Sequence, residues 1–221
     1  RGKGALEDYF DIAGELVNSL TASGKTAMLA TLDGTQLVPG AISYIRQQAP
    51  LGLGHAVWCA RNIVGNEPFA VLLADDLVDA YAKVGGNVIA VEEVPHQRTG
   101  SYGIVTPGAR DGRLTEVRGL VEKPKPDVAP SNLAVIGRYI LQPEVMTILG
   151  EHRKGAGGEI QLTDAMAQLI GQQPFHGYTF DGVRHDCGDK AGHIIANIAL
   201  ALERDDVGPA VRAYLDGLNK H

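Results

Sequence analysis

The stretch that most constrains this chain is Phe69-Ala70-Val71-Leu72-Leu73, five consecutive apolar residues that stop at Ala74-Asp75-Asp76. A strand with one wetted face alternates apolar and polar side chains, because successive side chains point to opposite faces. An unbroken run suits a strand buried on both faces of a parallel sheet. Residues 87–94 read as a second strand, and residues 77–84 as the helix between the two. Strand, helix and strand in that order predict an α/β fold with a mixed, mostly parallel central sheet. The turn from Asp76 into that helix is tight, and a missing loop there is the alternative.

The flanks extend this scheme. Leu6, Phe10, Ala13, Val17 and Leu20 recur at helical spacing, so residues 5–20 read as an amphipathic helix. Residues 21–40 read as loops with one short strand, and Ile42-Ser43-Tyr44-Ile45-Arg46-Gln47 as a strand. A turn over residues 50–54 leads into a helix from His55 to about Ile63. Residues 104–105, 113–121 and 133–141 read as strands joined by Gly-, Asp- and Pro-rich turns, a small antiparallel extension. Helices follow over residues 158–170, 194–202 and 209–218, the last with Pro209 in its first turn. The whole of residues 1–221 is read as a single domain.

Charge and cysteine content exclude several classes of function. The net charge of −6 is spread without long single-sign blocks, which argues against a nucleic-acid partner. A few local cations could still hold an anionic substrate. Cys59 and Cys187 form no disulfide framework, so a cytoplasmic protein is expected. No apolar run approaches the roughly 20 residues that span a bilayer, so no membrane partner is expected.

The residues that could carry chemistry each have a plainer reading. Asp75 and Asp76 follow a core strand, where ligands bind in open α/β sheets, and carboxylates there suit Mg²⁺. The same pair could simply cap the next helix. Glu122 and Lys123 could grip a sugar phosphate if the chain bends between them, and Pro124 and Pro126 make a bend reasonable. Otherwise they are a solvated surface pair. Gly52 and Gly54 permit close backbone approach or merely turn a strand into a helix, without the glycine pattern of a Walker or Rossmann phosphate loop. His185-Asp186-Cys187-Gly188-Asp189 lacks the ligand spacing of a zinc site, and Asp186 serves better as a second Mg²⁺ ligand. His55 and His176 read as structural or exposed, and Trp58 and Met166 as core.

In order along the chain, these pieces resemble the bacterial UTP–glucose-1-phosphate uridylyltransferases, of the sugar nucleotidyltransferase family. The resemblance runs from Arg46-Gln47 through Gly52-Leu53-Gly54-His55-Ala56 and Glu67-Pro68-Phe69-Ala70-Val71-Leu72-Leu73-Ala74-Asp75-Asp76. It continues through Tyr102-Gly103-Ile104-Val105, Val121-Glu122-Lys123-Pro124 and Pro130-Ser131-Asn132-Leu133-Ala134. Gly158-Glu159-Ile160-Gln161-Leu162-Thr163-Asp164-Ala165 and His185-Asp186-Cys187-Gly188 complete it, so it covers nearly the whole chain.

The resemblance implies a Rossmann-like nucleotidyltransferase fold with C-terminal helices. It implies that UTP and glucose 1-phosphate react to UDP-glucose and pyrophosphate, with Mg²⁺. By the same likeness, Gln47 and the backbone at Gly52 would meet the uracil. Asp75 and Asp186 would bind the metal, and the Gly103 N–H would contact a glucose hydroxyl. Glu122 would hold the glucose hydroxyls and Lys123 the phosphate. The family's opening glycine-rich loop, approximately Gly-x-Gly-Thr-Arg, is not found in these residues, and the family has a longer segment after its metal-binding aspartate. The expectation is therefore a longer enzyme of which this chain omits stretches. Two rivals stand beside this reading: a thymidylyl-transferring sister enzyme, and a non-catalytic sugar-nucleotide-binding protein. The apolar last helices lead us to expect a homo-oligomer, dimer or tetramer.

Overall fold

Asp111-Gly112-Arg113 reverses the chain between two nine-residue strands, β3 (Gly103–Asp111) and β4 (Leu114–Glu122), and this hairpin sets the character of the sheet. The computed structural model describes residues 4, 8, 10–34, 37–38, 40–72, 85–180, 184–185 and 190–218. The other strands are β1 (Phe69–Val71), β2 (Asn87–Glu93), β5 (Leu133–Leu141) and β6 (Phe175–Thr179). They lie in the order β1-β5-β2-β6-β4-β3, and β3 also bridges back to β5 at Ile104 and Ala134. Strands β5, β2, β6, β4 and β3 thus form a small closed barrel with β1 outside it.

The pairings of β5 with β1, β2 and β3, and of β4 with β3 and β6, are antiparallel. The α/β class holds, but among the described residues the sheet is mostly antiparallel, not mostly parallel as expected. The run that suggested a parallel strand is itself not buried on both faces, since Ala70 and Leu72 are exposed and β1 lies outside the barrel. Elsewhere an apolar stretch reports burial and not pairing direction. There two-sided burial comes from a sheet closed on itself and covered by helices. Val88 to Val91 and Leu133 to Ile136 are all buried without a parallel neighbour being needed. Helices α5 (Glu144–Gly150) and α6 (Leu162–Leu169) add Val145, Leu149, Leu162 and Met166 to the same core.

Two local expectations are also corrected. Residues 42–47 join no strand, and Tyr44 and Ile45 are exposed: β-branched and aromatic residues without a partner edge do not make a strand. Thr26–Asp33 is a helix, α2, following α1 (Gly14–Ala22), where loops were expected. Ala27, Met28, Leu29 and Ala30 are good helix formers, and they outweigh the glycines around them. The expected helix over residues 77–84 lies outside the described residues. The expected helix at 55–63 is α3 (Leu53–Cys59) followed by the short α4 (Arg61–Val64).

Buried polar groups pin the barrel. The Asn87 side chain is fully buried; its Nδ2 donates to Gln173 Oε1 (2.9 Å), and its Oδ1 accepts the Gln142 N–H (2.9 Å). The segment Pro130-Ser131-Asn132 works similarly: Ser131 Oγ donates to the Val105 carbonyl (2.6 Å) and accepts the Leu133 N–H (3.0 Å). This satisfies the polar backbone where β5 starts beside β3.

By contact, residues 1–178 form one compact unit and residues 179–221 a second. The second contains helices α7 (Lys190–Leu202) and α8 (Gly208–Leu218), with Ile194, Ile195, Leu200, Tyr214 and Leu218 exposed. Among the described residues no helix is long and apolar enough to cross a membrane.

Tyr139, on β5, is buried in the core of the first unit, and burial pushes its hydroxyl up to about 12, with the Glu122 charge adding to the shift. A folded-state pKa above the unfolded value stabilises the fold fully below pH ~10 and loses that contribution as pH rises through about 12. The unfolding free energy should therefore fall by about 2–3 kcal/mol across this window beyond any loss in Tyr139→Phe. Urea titrations at stepped pH check this; parallel curves for the two proteins would contradict it.

Candidate active site

Leu51 and Gly54 join Ile160 by two backbone hydrogen bonds: the Ile160 N–H donates to the Leu51 carbonyl (2.7 Å), and the Gly54 N–H donates to the Ile160 carbonyl (3.0 Å). Contact this close leaves no room for side chains between the two segments. A Cβ on Gly52 would lie 2.8 Å from the Ile160 carbonyl oxygen and 2.9 Å from Glu159 Cβ. One on Gly54 would lie 2.8 Å from both that oxygen and Leu149 Cδ2. Gly52 also has φ of 105°, a backbone conformation that L side chains rarely adopt. These glycines thus have a protein neighbour as their first reason for existing.

Beyond Ile160 the chain enters α6, and Thr163 in its first turn reaches the second motif. A Cβ on Gly103 would stand 3.1 Å from Thr163 Oγ1 and 3.2 Å from Glu122 Oε2. Gly103 is thus enclosed between Thr163 and Glu122. Gly103 and Glu122 are also cross-strand partners in the β3–β4 hairpin. Because the Lys123 N–H donates to the Tyr102 carbonyl (2.9 Å), Gly103 and Glu122 form a non-hydrogen-bonded pair. The Gly103 N–H therefore points away from β4.

The bend expected at Glu122-Lys123 exists and lies at Lys123 itself. Its φ is 47°, in the left-handed region where a side chain costs about 1–3 kcal/mol. Successive residues on a strand face opposite ways, but here Lys123 Nζ comes within 3.6 Å of Glu122 Oε1. The Glu122 side chain is only 10% exposed and that of Lys123 49%, so an inner acid is paired with an outer base.

Gln47, in the exposed segment ahead of α3, is tied to the first motif. Its Nε2 donates to the Gly52 carbonyl (3.0 Å) and lies 3.0 Å from Nδ1 of the buried His55.

The structure thus connects Gln47 with Gly52, and Gly103 with Glu122 and Lys123, with residues 159–163 linking the two groups. The two expected metal carboxylates, Asp75 and Asp186, lie outside the described residues. Among the described residues no cluster of three or more His, Cys, Asp or Glu is gathered to hold a metal. A cleft of about 670 Å³ opens elsewhere, between the β3–β4 hairpin and residues 171–176, and includes none of these groups. Sequence reading missed Thr163 and the link from His55 to Gln47. A small residue opposite a glycine has no sequence signature, and neither has a Gln–His pair eight positions apart.

Residues 15–203 match the nucleotidyl transferase family. A UTP–glucose-1-phosphate uridylyltransferase of Komagataeibacter xylinus is 52% identical over 201 residues, covering 86% of this chain and 71% of that protein. A UTP-bound UGPase from Acinetobacter baumannii has a similar structure (TM-score 0.81, 34% identity, 96% of this chain and 78% of that one). So does a UDP-glucose pyrophosphorylase complexed with UDP-glucose (TM-score 0.77, 35% identity, 92% and 79%).

The backbone bridge makes a direct prediction. Gly52→Ala should lower stability by about 2–4 kcal/mol, since it adds both a collision with backbone and an unfavourable φ. Urea unfolding reads this, and a loss below about 0.5 kcal/mol, typical of surface sites, would contradict the packing described.

Proposed function

The chain belongs to the nucleotidyl transferase family, and from that membership we infer that it is a UTP–glucose-1-phosphate uridylyltransferase, converting UTP and glucose 1-phosphate to UDP-glucose and pyrophosphate. The observation that carries this reading to particular residues is the left-handed bend at Lys123. It brings a cation and an inward carboxylate onto one side of the chain, beside Gly103.

Those residue types match the substrate. A sugar phosphate offers hydroxyl donors and a phosphate dianion, so Glu122 accepts from hydroxyls while Lys123 neutralises the phosphate. The Gly103 N–H, turned away from β4, is a further donor to the sugar. Gln47 and the backbone at Gly52 take the uracil. The nucleophile is a phosphate oxygen already ionised near neutral pH, so attack on the α-phosphorus needs no general base. Catalysis then consists of in-line positioning and charge neutralisation, and a nucleophile–base pair is not required.

Mg²⁺ belongs to this proposal through Asp75 and Asp186, since two carboxylates are the hard oxygen donors it takes. When bound it supplies neutralisation of the phosphate charge that develops in transfer. We further propose a cytoplasmic homo-oligomer, dimer or tetramer, supported by the exposed Ile194, Ile195, Leu200 and Tyr214. Light scattering that returned the monomer mass would overturn the oligomer.

Lys123→Ala should reduce kcat/KM about 10²–10³-fold, as for loss of a charge-stabilising group. Glu122→Gln should raise the KM for glucose 1-phosphate about tenfold. A pyrophosphate-release assay measures both. Lys123→Ala within about twofold of wild type would contradict the assignment of the phosphate to this residue.

A further inference from the structure

Gln47 lies in a segment with neither helix nor strand to hold it, yet one end of its side chain is fixed. A backbone carbonyl only accepts, so the amide nitrogen, not the amide oxygen, must face the Gly52 carbonyl at 3.0 Å. That nitrogen has a second hydrogen, and His55 Nδ1 stands 3.0 Å away to take it. Nδ1 can accept only as a lone pair, which puts the ring proton of a neutral imidazole on Nε2. Cys59 Sγ approaches the same nitrogen at 4.0 Å, a longer and weaker contact. Both amide hydrogens are then committed. Among the described residues Gln47 Oε1 has no partner, and the residue is exposed.

The imidazole is itself immobilised. His55 is buried, its ring stacks on Trp58 at 5.9 Å, and His152 meets it edge-on at 5.6 Å. The Arg61 guanidinium sits 3.5 Å from the Trp58 ring centre, holding the indole that backs the histidine.

We propose that His55 is a positioning residue for nucleobase choice: with the Gly52 carbonyl it holds both amide hydrogens of Gln47, so that Gln47 meets the base as an acceptor only. The inference rests on the reading of Gln47 as the base contact. An acceptor-only group pairs with a pyrimidine whose N3 carries hydrogen, as in uracil or thymine. Against cytosine, whose N3 presents a lone pair, two acceptors face each other at that position, and a donor is regained only by a shift along the ring edge to the 4-amino group. The device therefore selects against CTP. It offers nothing to reject thymine, so the choice between UTP and dTTP falls to other groups.

The test is kcat/KM with UTP and with CTP for the wild-type enzyme, Gln47→Ala, His55→Leu and His55→Asn. Leucine removes the acceptor at similar bulk, whereas the asparagine oxygen can stand near the position of Nδ1. His55→Leu should lower the UTP-to-CTP ratio about tenfold, the size expected for releasing one hydrogen bond. The change should appear in the KM for UTP with kcat held, because the base is remote from the reacting phosphorus. His55→Asn should restore most of the ratio.

An unchanged ratio in His55→Leu, with a lowered one in Gln47→Ala, overturns the inference and leaves the Gln47 reading standing. An equal loss in both His55 variants also overturns it. An unchanged ratio in Gln47→Ala removes the base contact and the inference together. If His55→Leu does not fold, imidazole ¹⁵N spectra of wild type and Gln47→Ala decide. The His55 Nδ1 signal should move when Gln47 is truncated, and a stationary signal overturns the proposal.

Discussion

Two backbone hydrogen bonds, between Ile160 and the Leu51–Gly54 loop, hold the candidate site together. They dock the start of α3 onto the segment that enters α6. That segment in turn places Thr163 beside Gly103, and Gly103 beside Glu122. The link from the Leu51–Gly54 loop to Ile160 is made between backbones, and Thr163 and Glu122 then close on Gly103 with their side chains. Rigid support of this kind suits a reaction whose rate comes from holding two phosphates in line.

The energetics follow the same path. The glycines at 52 and 54 give up conformational freedom in the unfolded chain for an approach that no other residue allows. Lys123 keeps a left-handed backbone although it has a side chain, and the cost is offset by its hydrogen bond to Tyr102 and its position beside Glu122. Lys123 is one of two non-glycine residues with positive φ among the described residues, and it is the one paired with a largely buried carboxylate. The Glu122 charge is felt at the buried Tyr139 hydroxyl, whose raised pKa owes most to burial and the rest to that carboxylate.

Much of the fold could be read in the chain. The strands read at 69–73, 87–94 and 133–141 correspond to β1, β2 and β5, and a Gly- and Asp-containing turn was expected before residue 113, where the hairpin reverses. The pairing direction could not be read, because burial on two faces looks the same in a parallel sheet and in a closed antiparallel one. Residues 42–47 have strand composition but no neighbouring edge, a property of the tertiary structure alone. The site was legible as separate strings: Gly52 with Gly54, and Glu122 with Lys123. Their connection was not, because it passes through the main chain of Ile160, where side-chain identity leaves no mark. The turn at Lys123 was expected from the prolines after it, yet it is one φ angle of the lysine that makes it.

The central claim is that the Gln47–Gly54 segment, the Tyr102–Lys123 pair of strand ends and residues 159–163 form one binding surface. Amide hydrogen exchange with and without UDP-glucose tests it most directly. The account predicts that the product slows exchange in all three segments at the same ligand concentration, while the cleft lined by residues 109–116 and 171–176 stays unchanged. Protection confined to one segment, or centred on that distant cleft, would contradict it.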